Sequence, residues 1–443
     1  MAQFLPAKKH MITVIVRQPN APMHVFWTVL IFVLSYAGMA AGRLPWLQVD
    51  RTGIALLGVI GLLVSGAMTI DDVGSNIDTS TLVLLFALMI ISAQFVAAGF
   101  YDMCAEWITS KGHGPAALLA LTVAVTGALS AVLANDTVVF ALTPLIIAGI
   151  RERGLDPRPY LLAVAAASNA GSAATVIGNP QNIVIGQIGD LSFSMFLVAC
   201  GIPALVALGI VFGVIWFIWR DRMGTTVLAV TRGDIPDVPV HPHDKRQTIK
   251  GLVAAAGLLA LCTTSLPRET GALVIAALLL ANRKFTSRIM IAAVDWPLLV
   301  LVSCLFAVTG ALADTGIPWK LIAFLQDQQL MPDNLAVLTP LTLFMSNTIG
   351  STPFVILLLK IWPNPPQGAL YGLALLSSLA GNLLLVGSLA NIIVVERAAL
   401  FGVRLSFAEH ARVGIPITIL SIAFALFWLS FMGWLPWTPM ASE

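Results

Sequence analysis

The sequence predicts an all-α polytopic membrane protein of about ten transmembrane helices plus two re-entrant hairpins. They are arranged as two inverted-topology repeats, with broken helices at the membrane midplane. Three observations predict this. Of the 443 residues, 58% are hydrophobic and only 10% charged, whereas a soluble domain carries about 25% charged residues. Apolar runs near the length of a membrane span, about 20 residues, recur along the whole chain. The two halves also carry the same series of polar interruptions in the same order.

The elements follow from the N-terminus. Residues 1–23 form a tail with Lys8, Lys9 and Arg17 but no apolar run suited to a cleavable signal. Continuous spans are expected at 24–41, 53–68, 80–99, 194–219, 251–265, 270–282, 296–313 and 411–434. The stretches 115–149 and 333–362 are about twice a span in length with a polar break inside, and read as hairpins that enter and leave on the same side. The stretches 159–187 and 367–396 are apolar but interrupted, and read as broken helices. The first repeat is therefore 24–219 and the second 251–434. A cytoplasmic linker, 220–250, joins them, and 435–443 is a tail. With the N-terminus outside, 18 of the 24 Lys and Arg fall in inside loops and 6 outside, as the positive-inside rule requires. A prokaryotic inner membrane is the expected location.

The remaining residue types narrow the function. A net charge of +2 points to no nucleic-acid partner. Cys104, Cys200, Cys262 and Cys304 are far apart and read as small buried hydrophobes. The six histidines fall in loops or at span ends, none placed as a proton relay. Trp46, Trp296, Trp434 and Trp437 suit the membrane interface, and Asp71, Asp72 and Asp78 read as solvated or helix-capping. Paired aspartates and HExxH, which a membrane-embedded hydrolase would need, are missing from the sequence, and no cofactor is expected. A passive channel fits broken repeats opening to opposite sides less well than alternating access does.

Internal duplication is the sharpest signal. "LANDTVVFALTPL" (Leu133–Leu145) is matched by "FMSNTIGSTPFVIL" (Phe344–Leu357). The triplet Asn135-Asp136-Thr137 pairs with Ser346-Asn347-Thr348, and Thr143-Pro144 with Thr352-Pro353. "SNAGSAATVIGNPQNIVI" is matched by "SLAGNLLLVGSLANIIVV", aligning Gly171 with Gly381, Gly178 with Gly387 and Asn182 with Asn391. Irregular backbone survives in a bilayer only where protein covers it or a wet cavity borders it. Such breaks free carbonyls for a cation and helix N-termini for an anion. The candidate substrate and ion site is accordingly Asn135, Asp136 and Thr137 with Ser346, Asn347 and Thr348 at the tips. At the breaks it adds Ser172, Thr175, Gly178, Asn179, Pro180 and Asn182 in the first half, and Gly381, Asn382, Gly387 and Asn391 in the second. Packing between helices is the competing reading for Ser168, Gly171, Ser377 and Ser378. Asp136 is the one acid well inside an apolar hairpin. It reads as a cation ligand, a proton carrier or a satisfied helix cap, with Asn347 as its counterpart.

These motifs resemble the ion transporter superfamily, which includes ArsB-type arsenite permeases, NhaD-type sodium/proton antiporters, silicon-efflux transporters, citrate transporters and divalent anion:sodium symporters. The resemblance runs from about residue 24 to residue 434. It implies that the hairpin tips bind substrate and flank sodium, near Asn135, Asp136 and Gly178 and near Ser346, Asn347 and Gly387. It also implies an elevator-type motion, often in a homodimer. Ser346-Asn347-Thr348 matches the symporter motif directly. Asn135-Asp136-Thr137 with "GNPQN" is closer to the arsenite-permease and silicon-efflux branch. The expected function is a secondary active transporter of a small anion or oxyanion, coupled to H+ or Na+. The alternative is an NhaD-type antiporter. No Lys or Arg is expected inside the membrane, which favours a weak acid such as arsenite or silicic acid over citrate.

Overall fold

The computed structural model describes residues 22–41, 49–111, 114–223, 242–264, 266–362 and 364–438. Trp46, residues 1–21, most of the linker and the last five residues lie outside the described residues. The described chain is helical, with no strand. The first half comprises α1 (Pro22–Ala41), α2 (Arg51–Val64), α3 (Ile70–Asn76), α4 (Thr79–Ala97), α5 (Phe100–Lys111), α6 (Pro115–Val132), α7 (Asn135–Glu152), α8 (Arg158–Ser172), α9 (Pro180–Ile188) and α10 (Phe193–Met223). The second repeats this order as α11 (Lys245–Cys262), α12 (Arg268–Leu280), α13 (Ser287–Ala292), α14 (Trp296–Asp314), α15 (Ile317–Asp327), α16 (Leu335–Thr348), α17 (Ser351–Ile361), α18 (Gln367–Ala380), α19 (Leu389–Leu400) and α20 (Phe407–Phe431).

Local chemistry fixes the same starts in both halves. Asp78 accepts the Thr81 N–H at 2.8 Å to open α4, and Asp295 accepts the Leu298 N–H at 3.0 Å to open α14. Thr69 and Asp72 form a capping box on α3. The aspartates at 72 and 78 are thus caps. Pro180 and Pro115 occupy the first turns of α9 and α6, where a missing N–H costs nothing. All four cysteines are buried and free.

Among the described residues, six helices are long and apolar enough to cross a bilayer: α1, α4, α6, α10, α14 and α20. Helix α2 is shorter than the sequence suggests. At 1.5 Å per residue, α2, with 14 residues, reaches about 21 Å, short of a hydrocarbon core of about 30 Å. The apolar run at 53–68 counts loop residues that turn away after Val64. Large apolar side chains such as Leu205, Phe217, Leu278, Phe427 and Phe431 point outward, as a lipid-facing surface demands.

The helices pack in two groups. In the framework group α2 lies against α1 and α14, and α4 against α11 and α12. In the site-bearing group α8 lies against α6, α7, α10 and α19, and α16 against α17 and α18, while α10 packs on α20. Hairpin α6–α7, hairpin α16–α17 and both broken helices belong to the second group. Arg158 ties its two halves together, pairing with Asp156 at 2.6 Å and Glu409 at 2.7 Å. Trp296 and Trp437 are exposed, whereas Trp434 packs edge-on against Tyr371 at 4.9 Å.

Candidate functional site

The two breaks are built alike, atom for atom. The Asn182 amide donates to the carbonyls of Ser172 (3.2 Å) and Thr175 (3.0 Å). The Asn391 amide donates to those of Gly381 (2.8 Å) and Leu384 (3.2 Å). In each case the acceptors lie ten and seven positions upstream, so one asparagine satisfies two carbonyls that unwinding exposes. Asn182→Ala and Asn391→Ala should each lower stability by about 1–3 kcal/mol, the cost of leaving buried polar groups unpaired. Thermal unfolding of the purified protein in detergent checks this. Wild-type melting in both variants would mean that water already serves these carbonyls.

The same shift relates residues that touch across the two halves. Asn179 donates to the Ser378 hydroxyl at 2.9 Å, and Ser388 donates to the Asn169 side-chain oxygen Oδ1 at 2.8 Å. Both 378 − 169 and 388 − 179 equal 209, so these bonds are one contact seen from either repeat. Asn169 also donates to Asn382 (2.9 Å) and Asn391 (3.1 Å), and Asn179 to Ser172 (3.1 Å). Ser172, Asn179, Asn182, Asn382 and Asn391 therefore form one buried polar web. Thr175 stands at its edge, donating to the Ala131 carbonyl of hairpin α6–α7.

A central cavity of about 40 Å³ sits beside this web. Four helix N-termini line it: α7 with Asn135 and Asp136, α9 with Pro180 and Gln181, α17 with Gly350, Ser351 and Thr352, and α19 with Ser388 and Leu389. Each carries about half a positive charge from aligned peptide dipoles. Gly381 and Gly387 border the same cavity. A second cavity of about 460 Å³ adjoins it and shares Asn135, Asp136 and Pro180, with Thr137 and Asn179 on its mostly apolar wall. Gly178 closes the join, its carbonyl accepting the Asn135 N–H at 3.3 Å. Gly350 adopts φ +98°, a conformation that favours glycine.

The pairing of the two tip triplets is corrected by the structure. Asn135-Asp136-Thr137 opens the second arm of its hairpin, whereas Ser346-Asn347-Thr348 closes the first arm of the other. Counted from the tips, Asp136 corresponds to Thr352 and Ser346 to Ser130, both offset by 216. Helix α7 is seven residues longer than α17, which is the difference between the offsets 216 and 209. Asn347 instead braces the second break, donating to Leu343 and Ala380 (both 3.0 Å) and accepting from the Leu384 N–H (3.3 Å). A methyl group on Gly387 would fall 2.4 Å from its oxygen. Thr348 bonds the Phe344 carbonyl of its own helix at 2.7 Å. Ser346 is fully buried, and Ser346 Oγ and Asn135 Oδ1 have no hydrogen-bond partner among the described residues.

Residues outside the candidate set also line the cavity. Gln181 accepts from Thr352 at 3.3 Å, and Ser351 donates to the Ser377 carbonyl at 3.0 Å. Ser377 and Ser378 face the cavity. Most consequential is Arg51 at the start of α2. It lines the central cavity and reaches the Val386 carbonyl at 3.4 Å. The expectation of a site without a basic side chain is thereby overturned. Among the histidines, His410 is 5% exposed, at the first turns of α20.

Comparison with known proteins agrees with this architecture. The citrate transporter family matches residues 29–368. A silicon efflux transporter of Oryza sativa subsp. japonica is 27% identical, over 91% of this chain and 95% of its own. A 46 kDa membrane protein of Mycobacterium leprae is 28% identical, over 91% of this chain and 98% of its own. The crystal structure of the Alcanivorax borkumensis YdaH transporter superposes with a TM-score of 0.50 at 15% identity, covering 94% of this chain and 100% of that one. With its broken helices, paired hairpins and lipid-facing surface, the chain belongs to the citrate transporter family and is an integral, multi-pass membrane transporter.

Proposed function

We infer that the protein is a secondary active transporter of a small anion or oxyanion, driven by H+ or Na+. Convergence of four helix N-termini and Arg51 on one cavity carries this reading. Such a site favours negative charge without a resident metal. The cavity has room for a few waters or one small oxyanion. A carboxylate substrate would draw on the adjoining 460 Å³ space as well. Arg51 removes the argument against a fully charged substrate, so inorganic oxyanions and carboxylates both stand as candidates beside arsenite and silicic acid.

The coupling ion sits with Asp136. Its neighbour's Asn135 Oδ1 and the distant Ser346 Oγ are buried oxygens without partners among the described residues, as cation ligands awaiting an ion would be. Occupation of the first hairpin tip by the driving ion and of the cavity by the anion couples the two fluxes. The site-bearing group then moves as a unit against the framework group. An antiporter exchanging Na+ for H+ at Asp136 is the second reading, favoured by the same carboxylate.

The deciding experiment uses purified protein in liposomes with an imposed pH gradient and, separately, a sodium gradient. Arsenite, silicic acid, sulfate, phosphate, succinate, citrate and no added anion are tested in turn. Gradient-driven uptake of one compound is expected, and the effective gradient names the coupling ion. Sodium-driven proton flux with no added anion would replace this reading with the antiporter. Within the same assay Thr352→Val should raise the KM of the transported anion about three- to tenfold, the value of one lost hydrogen bond. Thr348→Ala should leave it unchanged, since that hydroxyl serves its own helix. The reverse ranking would place the binding hydroxyl on the wrong arm of the hairpin.

A further inference from the structure

We propose that Arg51 and Arg268 are alternating anion ligands: Arg51 contributes its guanidinium to the central cavity in this conformation, and Arg268 takes that place in the opposite-facing one. The proposal rests on the transporter reading above and adds to it which side chains carry the positive charge and when.

The two arginines are counterparts. "RTG" at Arg51–Gly53 opens α2, and "RETG" at Arg268–Gly271 opens α12, the second helix of each half. Both helices belong to the framework group, α2 against α1 and α14, α12 against α4 and α11. Both side chains reach out to the site-bearing group, at unequal places. Arg51 lies at the cavity, with Nη2 3.4 Å from the Val386 carbonyl and Nη1 beside the Gly350 turn. Arg268 lies away from the cavity, donating to the Leu191 carbonyl at 2.7 Å. Leu191 follows the far end of α9, whereas the 209-residue shift maps Val386 onto Ile177, just before its start.

In the frame of the site-bearing group the two contacts thus differ by the length of α9, nine residues, or about 14 Å at 1.5 Å per residue. Exchanging the conformations of two inverted repeats interconverts the two faces of such a carrier. That exchange brings Arg268 to Ile177 and the first hairpin tip, and moves Arg51 to the Val403 carbonyl, which follows the positive-φ turn after α19 as Leu191 follows the one after α9. The Val386 contact is long and to a neutral acceptor, which leaves the planar fork of donors free for a carboxylate or oxyanion. A charge fixed to the framework is offered only when the site is docked against it, so the anion meets one arginine at each face.

The test uses the full chain in membrane vesicles of both orientations, with citrate, phosphate and arsenite as probes. Arg51→Gln should raise KM from one face at least about tenfold, equivalent to ~1.4 kcal/mol, and leave the other within about twofold. Arg268→Gln should do the reverse, and each Lys variant should recover part of the loss. Equal increases from both faces overturn the alternation; no increase from either face overturns the ligand role. Cross-linking with a short bifunctional thiol reagent reads the motion without any substrate. The four native cysteines are buried and give the background. Cysteine pairs at 51 and 386 and at 268 and 191 should link, and so should pairs at 51 and 403 and at 268 and 177. Linking of the first two pairs alone overturns the exchange of places. If the wild type moves none of the probes while all four pairs link, it is the substrate reading that fails and the alternation that survives.

Discussion

Asp136→Asn should abolish gradient-driven transport, at least about 100-fold or ~2.7 kcal/mol, while the protein inserts and melts as the wild type does. The substitution is close to isosteric. Asp136 lies in the first turn of α7, where its charge meets the positive end of the helix dipole, and it faces both cavities. Asparagine keeps the volume and an acceptor oxygen but can neither take up a proton nor balance a cation. Coupling is therefore lost before binding is. Passive exchange of labelled for unlabelled substrate, with no gradient, should persist in the variant. The paired measurements are gradient-driven uptake and equilibrium exchange in liposomes, alongside thermal unfolding in detergent. Wild-type uptake against a gradient by Asp136→Asn would remove this carboxylate from the mechanism and leave it as a helix cap.

The chain is unequal in how openly it shows its structure. Duplication was legible because the breaks demand particular residues. An asparagine ten and seven positions after two exposed carbonyls is a local requirement, so Asn182 and Asn391 recur with their surroundings. Glycine and proline punctuation likewise marked both hairpins and both broken helices. The pairing of the tips is hidden in the sequence, which does not show where each turn falls. Thr143-Pro144 and Thr352-Pro353 share an offset of 209, yet Thr352 is the second residue of α17 while Thr143 lies in the middle of α7. A seven-residue difference in helix length is invisible when both helices are apolar throughout. Arg51 was missed for another reason. A basic residue at the edge of an apolar run normally marks a membrane surface. Its depth depends on where a short helix begins, and α2 begins beside the cavity.

Gly171→Ala should lower the melting temperature sharply, by a cost of about 1–3 kcal/mol or more for overpacking, whereas Gly381→Ala should barely move it. The two glycines align in the sequence but have different surroundings. A Cβ on Gly171 would lie 2.2 Å from the carbonyl oxygen and 2.5 Å from the Cα of Gly127 in α6. Both are backbone atoms, so no rotamer change relieves the clash, and α8 must shift away from α6. Gly127 itself faces the flexible Leu208 side chain at 2.6 Å, and Gly127→Ala should fall between the two. A Cβ on Gly381 meets nothing nearer than 3.2 Å, the carbonyl of Ser378 and Cβ of Ser388. Gly381 borders the central cavity instead, so Gly381→Ala should preserve melting but raise the KM of the transported anion by narrowing the space it enters. The first glycine thus belongs to helix packing and the second to the site. Detergent melting curves for all three variants, set beside liposome uptake by Gly381→Ala, separate these roles. Equal losses of stability at 171 and 381 would mean that the two breaks pack alike and that the asymmetry between the halves is not real.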